Sequence, residues 1–424
     1  MAGNRVLVLV ENLSVPFDRR VWQESRALAV AGYEVCVVCP RGERQDTEAY
    51  AEIEGVRIHR FPLRAATGGP LGYAREYGAA LVRMTALGLR LGRFDVVHIC
   101  NPPDLLFLAA LPHKLAGARL VFDHHDLVPE LYLSRFDRPP DLVHRALVML
   151  EKLTFRLADI VIATNHTYRD VALSRGGKAP AQVSVVRSGP RLDRFVPVAA
   201  DASLKRGKPF LICYLGVMGP QDGVDYALRS LARLRDELGR TDWHAVFVGS
   251  GDEFPSLVAL ARELDLDESV TFTGRVSDEE VLRHLSSADV CLAPDPQNPL
   301  NDASTMNKIM EYMAMSKPIV SFDLREARVS AGEAAVYAQP NEEHDFAERI
   351  AQLLDDPKAR ERMGWAGRKR VETTLSWEQS ERALLECYAH ALSTPHDGGS
   401  GGGPAQRLRT WWYTRRSRGR VQRR

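Results

Sequence analysis

The chain has 424 residues, of which 26% are charged and 45% hydrophobic, and this excludes a fibrous, collagen-like or wholly disordered protein. The formal net charge is +1, but residues 395–424 carry eight arginines and one acid, Asp397, so a tail of +7 follows a body of −6. No apolar run approaches the ~18–20 residues that a spanning helix needs. At ~100–200 residues per domain, two or three domains are expected.

The first apolar run, residues 6–10, is too short for a signal-peptide core and reads instead as a buried strand, so a cytoplasmic protein is expected. Further strand patterns follow at 34–39, 56–60, 96–99, 119–122, 160–163 and 183–186. Helical patterns separate them at 19–31, 73–91, from about 104, and at 143–157. A second series then begins. Strands at 210–215, 245–248, 270–272, 290–293 and 318–322 alternate with helices at 224–238, 254–264, 278–285 and 304–315. Helices at 346–354 and 376–392 complete it. The pattern predicts two α/β domains with open parallel sheets joined near 187–205, and ligands of such sheets bind beyond the carboxyl ends of the strands. The expected divisions are 1–190, 191–375, a returning helix at 376–394, and a Gly-rich linker with a basic aromatic tail at 395–424. Cys36 and Cys39 form a CxxC inside an apparent strand with no second pair, so they read as buried reduced thiols.

Three loops in the second series carry glycines at successive strand ends: Gly216 and Gly219, Gly249 and Gly251, and Gly274 followed by Arg275 and Val276. Glycine admits close backbone approach, and a helix start offers free N–H groups to an anion. No GxGxxG follows the first strand and there is no GxxxxGK[ST], so neither a dinucleotide fingerprint nor a P-loop is present. The most specific segment runs from Asn298 to Val320. Ser304 or Thr305 is placed to cap a helix, and Lys308 and Glu311, three apart, share one face of it. A cation and a carboxylate there suit a nucleotide sugar: Lys308 for phosphate oxygens, Glu311 for ribose hydroxyls. The bland alternative is a surface Lys–Glu pair.

Taken together, NxxxPFDRRVWQESRALAxxGYEVxVxCP, FDHHDLVPE, ADIVIAT, FVGSGDE, FTGRV and NKIMEYMAMSKPIV make the chain resemble retaining glycosyltransferases of family 4 over residues 4–392. The resemblance implies the GT-B architecture, with two facing Rossmann-like domains and an interdomain cleft. It implies transfer of a sugar from a nucleotide donor with no metal or other cofactor. In such a transfer no protein nucleophile is required, and stabilising charge on the departing diphosphate does most of the work.

The chain also departs from the family pattern. Of the two glutamates eight apart, Glu311 matches the second, whereas Ala303 stands at the first. The basic pair of the loop after the first donor-domain strand is replaced by Val217 and Asp222. Asn301, Asp302 or Ser304 are candidates for the donor sugar, and Lys308, Arg19 or Arg20 for the diphosphate. These departures resemble a subgroup similar to amino-sugar transferases of surface-polysaccharide pathways. On the acceptor side, the resemblance points to His125 with Asp126, with Glu130 as support. Gly274-Arg275-Val276 resembles the loop that holds the nucleobase, with uridine expected from family frequency.

The expected acceptor is a polysaccharide precursor or a lipid-linked glycan. Two segments suit an anionic membrane, with a peripheral location on the inner face of the cell membrane: the arginine-bearing stretch 73–93, for which a solvated face over a buried stripe is an equal alternative, and the tail with Trp411, Trp412 and its arginines, for which plain disorder is the main alternative. Nucleic acid is a weaker partner for that tail. Two rival functions remain at this stage: a catalytically degenerate scaffold, favoured by the missing glutamate and basic pair, and a nucleotide-sugar 2-epimerase.

Overall fold

The computed structural model describes residues 4–42, 45–63, 69–136 and 139–393. The tail with Trp411 and Trp412 lies outside these residues.

The first sheet is built from β1 (Arg5–Val10), β2 (Glu34–Pro40), β3 (Tyr50–Ile53), β4 (Val56–Phe61), β5 (Val96–Cys100), β6 (Arg119–His124), β7 (Ile160–Ala163) and β8 (Val183–Val185). Its order is β3-β4-β2-β1-β5-β6-β7-β8. All pairings are parallel except that of β3 with β4. The Val-rich runs are explained by burial on both faces. In β1, Leu7 and Leu9 join one core, whereas Val6, Val8 and Val10 join the other. Cys36 and Cys39 also point to opposite faces of the sheet, so they cannot hold one ion or one disulfide together.

The second sheet comprises β9 (Phe210–Leu215), β10 (Trp243–Val248), β11 (Val270–Gly274), β12 (Val290–Ala293), β13 (Ile319–Phe322) and β14 (Ala335–Ala338). It is parallel throughout, in the order β11-β10-β9-β12-β13-β14. One long core runs through both faces of this domain, including Trp243, Tyr312 and Phe346.

Two crossings join the domains, and they touch. Gly189 lies on the first; a Cβ there would stand 2.3 Å from the Leu375 carbonyl on the second. The Trp377 N–H donates to Pro190 O at 3.1 Å. The last helix, Trp377–Ser393, then packs on the first domain. Trp377, Leu384, Cys387 and Tyr388 belong to the core beside β1, and the Tyr388 hydroxyl meets His98 Nδ1 at 2.7 Å. The two domains therefore share one closing helix.

Replacing fully buried Tyr388 by Ala is expected to destabilise the first domain by about 3–5 kcal/mol, the usual cost of removing a large buried ring. Urea unfolding followed by circular dichroism checks this; a loss below about 1 kcal/mol would mean the helix is only loosely docked.

Candidate active site

The carboxyl ends of both sheets face a cleft of about 520 Å³. From the first domain come Phe17, Arg19 and Arg20, at the turn from β1 into the helix Arg19–Val30. From the linker come Ser188, Arg191 and Arg194, and from the second domain Arg275, Val276, Asp278, Asn307 and Glu311. Five arginines face three carboxylates, those of Asp46, Asp278 and Glu311, so the walls favour an anion.

Asp18 caps the helix Arg19–Val30 by accepting from the Val21 N–H, which fixes Arg19 and Arg20 at its first turn. Arg19 points across the cleft and meets Asp278 at 3.0 Å and Glu311 at 3.8 Å. Arg275 stacks on Phe17 with its guanidinium carbon 4.0 Å from the ring centroid. Burial and the neighbouring Arg19 both press the Arg275 pKa down. A bound anion between these two arginines would relieve their repulsion. Arg194 pairs with Asp278, and Arg191 with Asp193. Glu311 lies on the helix Asn307–Ala314 and is mostly buried. Burial raises its pKa, and Arg19 and Arg194 oppose that rise.

Arg20 is not a free phosphate ligand, which corrects its sequence assignment as a diphosphate contact. Its guanidinium is buried and bidentate to Asp123, at 2.9 and 2.6 Å, and also donates to Val186 O and Ser188 Oγ. Asp123 sits at the carboxyl end of β6 and is fully buried. Burial alone would raise its pKa, but Arg20 and His125 hold it well below the usual carboxylate range. His125 Nδ1 lies 2.9 Å from Asp123 Oδ2. Burial would lower the His125 pKa, yet Asp123 outweighs it and lifts the imidazole to about 9. His125 therefore stands behind Arg20 as an imidazolium. The backbone N–H groups of His125 and Asp126 both donate to Asn101 Oδ1, which fixes the loop. Glu130 does not support His125. It accepts from Arg175, which also binds Glu151, the partner of His124.

His98, Cys100 and Asp123 offer ligand atoms within 4.8 Å of one another. Both Asp123 oxygens, however, are already engaged by Arg20 and His125, so a metal ion would compete with two fixed positive charges.

The predicted helix at 304–315 is observed as Asn307–Ala314, a separate short helix, Pro299–Ala303, comes before it, and Met306 precedes the longer one without any side-chain cap. Ser304 and Thr305 lie in the break and tie the domains together. Tyr168 OH meets Ser304 Oγ at 2.9 Å, and Asn165 Nδ2 donates to Ala303 O and Thr305 Oγ1. Asp302 accepts from the Arg325 N–H.

Lys308 is buried rather than presented to the cleft. Its Nζ lies 2.7 Å from Asp295 and 3.7 Å from Asp222, above the Tyr214 ring. Burial opposes its charge, but Asp295, Tyr214 and Asp222 more than restore it, and its pKa is raised. The loop glycines serve one another: a Cβ at Gly249 would fall 1.9 Å from Gly216 O, and one at Gly251 would fall 2.4 Å from Met218 O. Gly219 donates its N–H to Asp222.

Of the sequence candidates, the cleft thus unites Arg19, Arg20, Arg275, Val276 and Glu311. His125, Asp126, Asp302, Ser304, Thr305, Lys308, Gly216, Gly219, Gly249 and Gly251 are not among its lining residues. Phe17, Arg191, Arg194, Asp278 and Asn307 were not singled out from the sequence. The one available signal was the pair of arginines three apart in the short linker.

The Asp123–His125 pair predicts a pH dependence. The folded imidazole pKa, about 9, exceeds the ordinary value near 6.5. The stability gained from protonated His125 is complete below pH ~6.5 and is lost as pH rises through about 9. An NMR titration should place the His125 midpoint near 9; a midpoint near 6.5 would show that Asp123 does not hold the proton.

Residues 18–189 match the family described as glycosyl transferase 4-like domain, and residues 209–356 match glycosyl transferases group 1. Glycogen synthase of Mycobacterium tuberculosis is 27% identical over 399 residues, covering 88% of this chain and 90% of that protein. MMP alpha-(1->4)-mannosyltransferase of Mycolicibacterium hassiacum is 27% identical over 334 residues, covering 76% and 77%. Among solved structures, sucrose-phosphate synthase from Thermosynechococcus elongatus superposes with a TM-score of 0.73 at 21% identity, covering 91% of this chain and 98% of that one. Anabaena Alr3699/HepE in complex with UDP-glucose superposes with a TM-score of 0.69 at 16% identity, covering 91% and 99%. With both family matches falling on the two facing α/β domains, the chain belongs to the GT-B glycosyltransferases, a 4-like first domain joined to a group 1 second domain.

Proposed function

We propose that the protein is a retaining glycosyltransferase that moves a sugar from a nucleoside-diphosphate donor, with uridine as the base, without a metal ion. The observation that carries this reading is the convergence of Arg19, Arg194 and Arg275 around Glu311 in one cleft. A diphosphate needs dispersed positive charge, and a guanidinium supplies it with directed donors. In this reading, Arg19 and Arg275 hold the diphosphate and stabilise it as it departs. Glu311 accepts hydrogen bonds from the ribose hydroxyls, and the backbone at Val276 faces the base. Lys308 and the loop glycines position the wall and do not touch the donor. His125 acts beside the reacting sugar: its Nδ1 is bonded to Asp123, and its Nε2 has no partner among the described residues. A charged imidazole there stabilises negative charge near the incoming hydroxyl.

The sugar is proposed to be a hexose or N-acetylhexosamine, and the acceptor a polysaccharide precursor or lipid-linked glycan of the cell envelope. The amino-sugar subgroup is favoured by Lys308 and Glu311 standing in K-x-x-E-Y. Association with the inner membrane face, with Trp411, Trp412 and the arginine tail as a secondary contact, is part of the same reading.

A thermal-shift series with nucleoside diphosphates and their sugars tests the donor site, since a ligand bound only by the folded state raises Tm. UDP or a UDP-sugar should stabilise the wild type equally with and without EDTA. Arg275→Ala and Glu311→Ala should each weaken binding about tenfold or more, as expected for loss of a charge-assisted hydrogen bond. No stabilisation by any nucleotide would favour a scaffold without donor binding, and loss of the shift in EDTA would contradict the metal-free reading.

A further inference from the structure

We infer that the outer helical face of the first domain is a docking surface for an anionic lipid bilayer, centred on the helix Leu142–Leu157. The helices Gly69–Leu91, Phe107–Leu115 and Leu142–Leu157 all send their buried sides into one core cluster, so their outer sides form one layer. Seven of the sixteen large apolar side chains exposed among the described residues lie on these three helices. Single exposed apolar groups are ordinary; a concentration on one face marks an interaction surface.

The helix Leu142–Leu157 carries the pattern most clearly. Leu142, Met149 and Leu153 are exposed, with Val143 beside them, and Leu142 is 79% exposed. Interleaved on the same stripe are Arg145, Lys152 and Arg156, all exposed. The spacing 142, 145, 149, 152, 156 follows the helical repeat, so apolar and basic groups share one strip of surface. None of these three cations has a hydrogen-bond or ion-pair partner among the described residues. Helix arginines such as Arg229 and Arg233, by contrast, pair with Asp225, Glu237 and Glu343.

The three helices contain two acids. Glu151 is buried against His124 and Arg175, and Glu76 is half-buried. These three helices therefore present no exposed carboxylate among the described residues, on a body whose overall charge is negative. Val82 extends the apolar area on the first helix, with Arg83 and Arg90 also exposed, while Leu108 and Leu115 extend it on the second. Apolar groups mixed with unpaired cations match the headgroup boundary of an anionic leaflet, where hydrophobic insertion and charge attraction add. The helix Val128–Phe136 leads from the His125 loop to this face and packs against the helix Leu142–Leu157. Docking would thus bring the acceptor side of the cleft near the lipid. That consequence rests on the proposed function; the surface itself does not.

Co-sedimentation of the full chain with phosphatidylcholine vesicles, with and without phosphatidylglycerol, tests the inference. The wild type should bind only the anionic vesicles, and added salt should weaken binding. Arg145→Glu with Lys152→Glu, and separately Leu142→Asp with Met149→Asp, should each reduce binding about tenfold or more, with Tm and UDP binding unchanged. Trp411→Ala with Trp412→Ala serves as the tail comparison and should retain most of the binding. Wild-type binding by both helix variants, loss confined to the tail variant, or no binding by the wild type would each overturn the proposal. Because UDP binding is read separately, failure of the docking surface and failure of the donor site are distinguishable.

Discussion

The cleft depends on one carboxylate. Asp123 is fully buried where β6 ends, and it is shared between Arg20 and His125. Burying a carboxylate without partners would be prohibitive; two cations with directed hydrogen bonds make it tenable. The same pairing sets the geometry of three segments. Arg20 belongs to the first turn of the helix that also presents Arg19. Its other donor reaches Val186 O and Ser188, where the linker carrying Arg191 and Arg194 begins. His125 belongs to the loop between β6 and the helix Val128–Phe136. One buried anion therefore aligns the cationic wall, the linker and the histidine.

The second domain solves the converse problem with a buried cation. Lys308 stands between Asp295 and Asp222 and fixes the helix Asn307–Ala314 against the loop after β9. Its charge is balanced internally, so it offers little to a ligand. The positive charge facing the cleft comes instead from three separated places: the start of the first helix, the linker and the end of β11. This division explains how Val217 and Asp222 can occupy the loop where the family resemblance implies a basic pair. Asp222 has become the counter-ion of Lys308, and the arginines across the cleft carry the exposed charge.

The order of strands was legible because both sheets are covered on both faces, which writes each strand as an apolar run bounded by polar residues. β3 escaped notice because Tyr50–Ile53 is an edge strand with alternating exposure and no apolar run. β14 escaped because AVYA is short and Ala-rich. Arg19, Arg275 and Val276 were legible as cleft residues because each sits where a strand ends or a helix begins, and Glu311 because it shares a helix face with Lys308 three residues before it. The break at Ser304–Met306 was not, since helical spacing continues through it and only the bonds to Asn165 and Tyr168 reveal its role. Nor was the fate of Arg20 or Lys308. A charged residue reads alike whether it meets a ligand or a buried partner 103 positions away, as Asp123 is from Arg20.

In the proposed transfer, Asp123 governs donor binding without touching the donor. Isothermal titration of UDP into Asp123→Asn, with Asp126→Asn as the comparison, tests it most directly. Asp123→Asn should keep its fold by circular dichroism and bind UDP about tenfold or more weakly, because Arg20 and the linker lose their anchor. Affinity in Asp126→Asn should stay near wild type. Unchanged affinity in a folded Asp123→Asn would contradict the claim and leave Arg19 and Arg275 positioned by their own domains alone.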